Sequence, residues 1–234
     1  MKLMKTALLI VVIMMFCALN SYATPMVGDS VVITDGQYGT TGGGEFKTTV
    51  NGSDEYLTFC VEKTETLKLG ATGYTISSIV DYTDALTKLN DPSATDLGTS
   101  SANHDYLSAA SKWLFWKYVT NRSALLQSTS VTLNDLADFV QRAIWYLEGE
   151  ENQIAVPSFY NTYIAGKTKS FFTGELGTNI ASVKVINIID SKGKQAQSQI
   201  YIERNPVPEP ATLLLLGLGL FGIATVNRKK FFKK

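Results

Sequence analysis

Leu133-Asn134-Asp135-Leu136-Ala137-Asp138-Phe139-Val140-Gln141-Arg142-Ala143-Ile144-Trp145-Tyr146-Leu147 is the stretch that decides how the rest of this 234-residue chain is read. Leu133, Leu136, Ala137, Val140, Ala143, Ile144 and Leu147 recur at three- and four-residue steps, which lines one face of a helix with apolar side chains. The spacing predicts a helix from about Asn134 to Leu147. Thr132 or Asn134 would cap its start, and Gly149 and Pro157 lie beyond its end. An earlier helix is predicted from about Asn103 to Tyr118, with Trp113, Phe115, Trp116 and Tyr118 crowded into its end. Aromatics at helical spacing usually face a core, so packing is the preferred reading of that cluster over stacking on sugars.

Strand signals flank the helical stretch on both sides. Val31-Val32-Ile33 begins an apolar strand, and Gly42-Gly43-Gly44 interrupts before residues 45–50. Asn51-Gly52 is a strong tight-turn signal, so 45–50 and 56–62 are predicted to form a hairpin. Along its second strand Leu57, Phe59 and Val61 share one face and Thr58, Cys60 and Glu62 the other. Residues 84–101, rich in Asp, Thr, Ser and Asn with Pro92 and Gly98, read as a surface loop. After the helices, Val183 to Ile189 and Gln199 to Ile202 flank Asp190-Ser191-Lys192-Gly193 as a second hairpin, and an aromatic loop follows Pro157. Strands, then helices, then strands predict the α+β class, a β-rich single domain with a helical insertion.

The two ends of the chain read differently from its body. Lys2 and Lys5 precede an apolar run from Ala7 to Ala18, then Ser21-Tyr22-Ala23, which predicts a signal peptide over 1–23 cut before Thr24. At the other end Val207-Pro208-Glu209-Pro210 precedes Ala211 to Val226, which carries no charge, and then Arg228-Lys229-Lys230 and Lys233-Lys234. A helix over 211–226 would be roughly 24 Å long at about 1.5 Å per residue. That is slightly short of a hydrocarbon core of about 30 Å, and snorkelling lysines cover such a mismatch. The basic stop places its C-terminus in the cytoplasm. The exported region is then 24–206, one domain in length, followed by 207–234.

Composition narrows the function classes. Basic and acidic side chains balance at 21 each, and with much of the basic charge at the two ends the exported region is acidic, which offers nothing to nucleic acid. His104 is the only histidine, so a zinc site or a His-based triad has little material, and His104 itself reads as a helix-start side chain. Asp81, Asp84, Asp91 and Asp96 lack calcium-loop spacing and read as solvated loop acids. No metal, cofactor or catalytic set is assigned. Cys17 leaves with the leader, so Cys60 is a lone thiol in an exported protein: buried, paired with another molecule, or otherwise committed chemically.

The tail resembles the PEP-CTERM protein-sorting signal of exopolysaccharide-producing Gram-negative bacteria, with Pro208-Glu209-Pro210 as signature, then the apolar span and the basic stop Arg228, Lys229, Lys230. The resemblance implies an exosortase-type membrane peptidase as partner, cleavage near the motif, a transient inner-membrane anchor and delivery to the cell surface or extracellular matrix. A plain C-terminal anchor is the blander alternative.

On the second helix Gln141 falls beside the apolar stripe, with Ala137 and Trp145 one turn away, where an amide needs a partner. Val140-Gln141-Arg142-Ala143-Ile144-Trp145 resembles the glutamine motif of thioester domains, and Phe59-Cys60-Val61-Glu62 resembles their early-strand cysteine motif. The resemblance spans roughly 44–148 and implies an internal bond between the Cys60 sulfur and the Gln141 side-chain carbonyl, formed with loss of ammonia. Such a bond is an acyl donor toward an amine or hydroxyl, protected while water is excluded, with Trp145 and Phe59 as the expected shield. The bland reading makes Cys60 a small buried hydrophobe and Gln141 a helix-rim residue satisfied by backbone.

Three function classes follow. The first is a sorted surface or biofilm-matrix protein associated with exopolysaccharide, adhering covalently through the thioester. The second is a non-covalent polysaccharide-binding or structural matrix protein on the same route. The third is an exported hydrolase, which would need paired carboxylates; Glu62, Glu148 and Glu150 are available but show no pattern, and the chain is not expected to be an enzyme.

Overall fold

The computed structural model describes residues 24–40, 43–63, 65–83, 100–101, 104–126, 131–151 and 156–203. The leader, the sorting tail with its span over 211–226, and Asp84, Asp91 and Asp96 lie outside the described residues. Among the described residues no helix is long and apolar enough to cross a membrane.

Pro25–Glu203 forms one compact unit. Its strands are β1 (Ser30–Thr40), β2 (Gly43–Val50), β3 (Asp54–Cys60), β4 (Tyr74–Val80), β5 (Tyr82–Thr83), β6 (Ser100–Ser101), β7 (His104–Tyr106), β8 (Val183–Ile189) and β9 (Gln195–Ile202). Between β7 and β8 run helices α1 (Ala109–Leu126), α2 (Leu133–Leu147), α3 (Pro157–Tyr163) and α4 (Lys169–Leu176), then a 3-10 turn over Gly177–Ser182. β1, β2, β3, β9, β8 and β4 close, in that order, into a barrel, and β5, β7 and β6 form a separate small sheet. Every paired edge of the barrel is antiparallel. The α+β class with a β-rich body is thus what the chain adopts.

The β2–β3 hairpin forms at Asn51-Gly52, where φ is 49° and 74°, a left-handed pair that Asn and Gly tolerate best. A glycine pair serves a bulge between β1 and β2: a Cβ on Gly44 would come 2.6 Å from the Gly39 Cα, so only glycines pass there. The β8–β9 hairpin turns over Asp190, whose carboxylate accepts from the Lys192 and Lys194 amides and is held below the usual carboxylate range mainly by those bonds.

β3 is covered on both faces. Phe59 and Val61 pack with the helices, Phe59 edge-on to Phe115 at 6.0 Å and to Tyr118 at 5.0 Å. Tyr56 turns into the barrel with Val31, Ile33, Ile76, Ile186 and Tyr201. Trp113, Phe115 and Tyr118 are buried in the helical core, with Trp116 packed against it. Glu45 on β2 is buried and ties the barrel to α1. It accepts from the Gln37 and Tyr38 amides, the Tyr118 hydroxyl at 2.8 Å and the Arg122 guanidinium at 3.2 Å.

The first helix differs from expectation. It starts at Ala109, and the Ser108 hydroxyl accepts from the Ser111 amide at 3.0 Å as its N-cap. His104 lies in β7, paired with Ser101, rather than at a helix start. Ser108 supplies a real cap, while residues 104–106 are claimed by β5 and β6. β4, with Ser77 and Ser78 interrupting its apolar residues, and the short helices α3 and α4 carry no expected element. Asp81 is not a free loop acid: its carboxylate bonds Lys112 at 2.8 Å and Lys184 at 3.3 Å.

Candidate functional site

α2 begins on a reciprocal capping box: Thr132 accepts from the Asp135 amide at 3.2 Å, and Asp135 accepts from the Thr132 amide at 3.0 Å. With its start held, α2 runs beside β1 and β2 and turns its apolar stripe into the helical core with Phe59, Val61 and α1. The wheel position predicts a rim residue at 141. Gln141 is instead wholly buried, because the end of β3 meets the helix there.

The geometry at that meeting is specific. On the β2 side, the β3 ladder ends at the Phe46–Thr58 pair, two residues short of Cys60. The Gln141 amide fills the place a further strand residue would occupy. Its Oε1 accepts from the Cys60 N–H at 2.9 Å, and its Nε2 donates to the Cys60 carbonyl at 2.8 Å. On the other edge Cys60 pairs with Gln199 of β9, and Val61 N–H donates to the Ser198 carbonyl at 3.0 Å. Cys60 is buried, and burial pushes its thiol far above the usual range.

A groove of about 390 Å³ opens over this point, lined by Cys60, Trp145, Asp35, Lys63, Leu67 and Leu69 among others. Trp145 is buried, and its indole N–H has no acceptor among the described residues. The Lys63 ammonium sits 5.8 Å from the Trp145 ring centre and pairs with Glu151 at 2.7 Å. Thr40 and Gly43, the described residues either side of the β1–β2 connection, also line the groove. Asp138 of α2 holds this rim: its carboxylate accepts from the Thr40 amide at 2.9 Å and from the Thr40 hydroxyl.

The structure brings Cys60, Gln141 and Trp145 together at one place. Phe59 lies on the opposite face of β3, against α1. Glu62 is buried, accepts from the Ser198 amide at 2.7 Å through one oxygen, and its other oxygen has no partner among the described residues. Glu148 accepts from the Ser108 amide and the Ser111 hydroxyl, and Glu150 from the Lys63 amide at 3.2 Å. Each of the three thus accepts from a backbone amide, and the Glu150 charge acts on buried Glu62. Among the described residues no group of His, Cys, Asp and Glu is arranged to hold a metal ion.

Chemically, the arrangement suits acyl transfer. The Cys60 N–H is aimed at the Gln141 carbonyl oxygen, where charge would develop if sulfur attacked, and the Cys60 carbonyl holds the nitrogen that would leave. Sequence reasoning missed three contributors to the site: Gln199, the Thr48–Thr58 pair that orients it, and the Asp138 tether. Nothing local marks Gln199, since only barrel closure puts it opposite Cys60.

Residues 206–229 match the PEP-CTERM protein-sorting motif. The motif marks an exported protein of Gram-negative bacteria that is held transiently at the membrane and processed by an exosortase-type enzyme. Among solved structures, the chain is similar to the N-terminal thioester domain of the fibronectin-binding protein SfbI from Streptococcus pyogenes. The identity is 11% and the TM-score 0.42, over 80% of this chain and 100% of that one. No curated protein matches.

Proposed function

We propose that the exported domain carries an internal thioester between Cys60 and Gln141 and uses it to attach covalently to an amine or hydroxyl on a surface or exopolysaccharide polymer. The protein is then a non-enzymatic matrix or cell-surface adhesin, delivered by its sorting motif and needing no cofactor. One observation carries the reading: both polar atoms of the Gln141 amide are held by the main chain of the lone exported cysteine. In the bond-forming step the Cys60 sulfur adds to Gln141 Cδ, the C–N bond breaks, and the thiol proton leaves with the nitrogen as ammonia. A nucleophile entering by the groove would reverse the sense, taking the acyl group and returning a proton to sulfur. Burial of Cys60 and Gln141 restricts water, as an acyl donor of this kind requires.

The same two hydrogen bonds favour one competing reading, in which the Gln141 amide simply finishes the β3 edge and the protein binds its polymer without a covalent bond. Intact mass decides between them. Protein purified after expression of the full chain should be short of its sequence mass by one ammonia, with the deficit absent in Cys60→Ala. A full mass with a titratable thiol would leave the non-covalent matrix protein.

A further inference from the structure

Opposite Gln141, a second buried amide meets the same cysteine. Gln199 Nε2 donates to the Cys60 sulfur at 3.3 Å, and Gln199 is wholly buried. Its orientation is not arbitrary. Gln199 Oε1 accepts from the Thr58 hydroxyl at 3.0 Å, and Thr58 Oγ1 lies 2.9 Å from Thr48 Oγ1. Because Thr58 gives its one proton to Gln199, Thr48 must be the donor to Thr58. The remaining Nε2 proton points to the Gln197 carbonyl at 3.4 Å, an acceptor that only the nitrogen end could serve. A polarised chain thus runs Thr48 to Thr58 to Gln199 and ends on the sulfur.

We infer that Gln199 is a catalytic residue of the thioester chemistry, its side-chain N–H stabilising negative charge on the Cys60 sulfur as the bond forms and again as it opens. This rests on the thioester reading above. In both directions the sulfur passes through a charged state inside a buried site, where an unassisted thiolate is expensive. Burial drives the Cys60 thiol toward its neutral form, and the Gln199 hydrogen bond pulls against it, while the nearby Glu62 charge adds to the rise. When an amine opens the thioester, the C–S bond breaks, the electron pair stays on sulfur, and the Gln199 N–H is already in place to receive it. The amine's proton then completes the thiol.

The test uses protein expressed from the full chain, with methylamine as the opening nucleophile and intact mass and free thiol as readouts. Gln199→Leu removes the donor at similar size. Thr58→Val keeps the shape but leaves Gln199 Oε1 without its orienting proton. Gln199→Glu can donate to sulfur only while its carboxyl is protonated. We expect Gln199→Leu to slow opening about tenfold or more and Thr58→Val by a smaller factor. Gln199→Glu should open progressively more slowly, relative to wild type, as pH rises. That last signature would not follow from a packing role. If Gln199→Leu does not fold, the other two variants decide. Variants that open at the wild-type rate, with Gln199→Glu following the wild-type pH profile, would overturn the role of Gln199 while leaving the thioester intact. A wild-type protein of full mass would instead overturn the thioester itself, and this inference with it.

Discussion

The Gln141 side chain completes the hydrogen bonding of Cys60 across 81 residues of sequence, accepting from its N–H at 2.9 Å and donating to its carbonyl at 2.8 Å. One amide thereby does the work of a missing strand at the edge of a barrel. The same contact holds an acyl carbon beside a thiol-bearing residue.

Removing that amide should cost stability as well as chemistry. Gln141→Ala leaves a buried N–H and a buried carbonyl unpaired at Cys60, a loss of about 2 kcal/mol or more. Urea unfolding should show it. Cys60→Ala keeps both bonds and should unfold close to wild type once the crosslink itself is discounted. Equal stability of the two variants would mean that the clamp contributes nothing to the fold.

Asp138 offers a way to loosen the groove without touching the reacting groups. Its bonds to Thr40 hold one rim of the groove against α2. Asp138→Ala should therefore speed spontaneous hydrolysis of the thioester several-fold, read as gain of one water with time, which frees the Cys60 thiol and leaves a carboxylate at position 141. Because the Thr40 end is exposed, global stability should change by only about 1 kcal/mol or less. A hydrolysis rate identical to wild type would mean that water is excluded by other walls.

Glu62 gives the domain a pH dependence of defined sign. Burial pushes its carboxyl from an ordinary 4.5 up to about 7, against the bonds from Ser198 that favour the charged form. The folded protein therefore holds this proton more tightly than the unfolded chain does. The stabilisation is complete below about pH 4.5 and is lost as pH rises through about 7, by something on the order of 3 kcal/mol. Urea midpoints from pH 4.5 to 8 should fall more steeply for wild type than for Glu62→Gln. Parallel curves would remove Glu62 as the source.

The start of α2 is a separate check on the scaffold. Thr132→Ala breaks the capping box with Asp135 and should lower stability by about 1 kcal/mol without changing the ammonia deficit. Loss of the deficit in this variant would show that the cap also sets the position of Gln141.

Local physics made much of this protein legible before any tertiary contact. The stripe from Leu133 to Leu147, the Thr132 cap, the Asn51-Gly52 turn and the Asp190–Gly193 turn each depend on residues within a few positions of one another, so spacing reports them directly. The sorting motif over 206–229 is likewise a local signal. β4 was not legible, because Ser77 and Ser78 break its alternation and its place depends on pairing with β8. The start of α1 was not legible either, since β7 is drawn into a sheet by β5 and β6. Depth and partnership at the site belonged to tertiary structure alone. Helical periodicity puts Gln141 at a rim, and only the arrival of the β3 end buries it. Gln199 lies 139 residues from Cys60 and faces its sulfur because β9 closes the barrel against β3. Periodicity records which face of an element is apolar, but which edges meet is settled by the closure of the whole sheet.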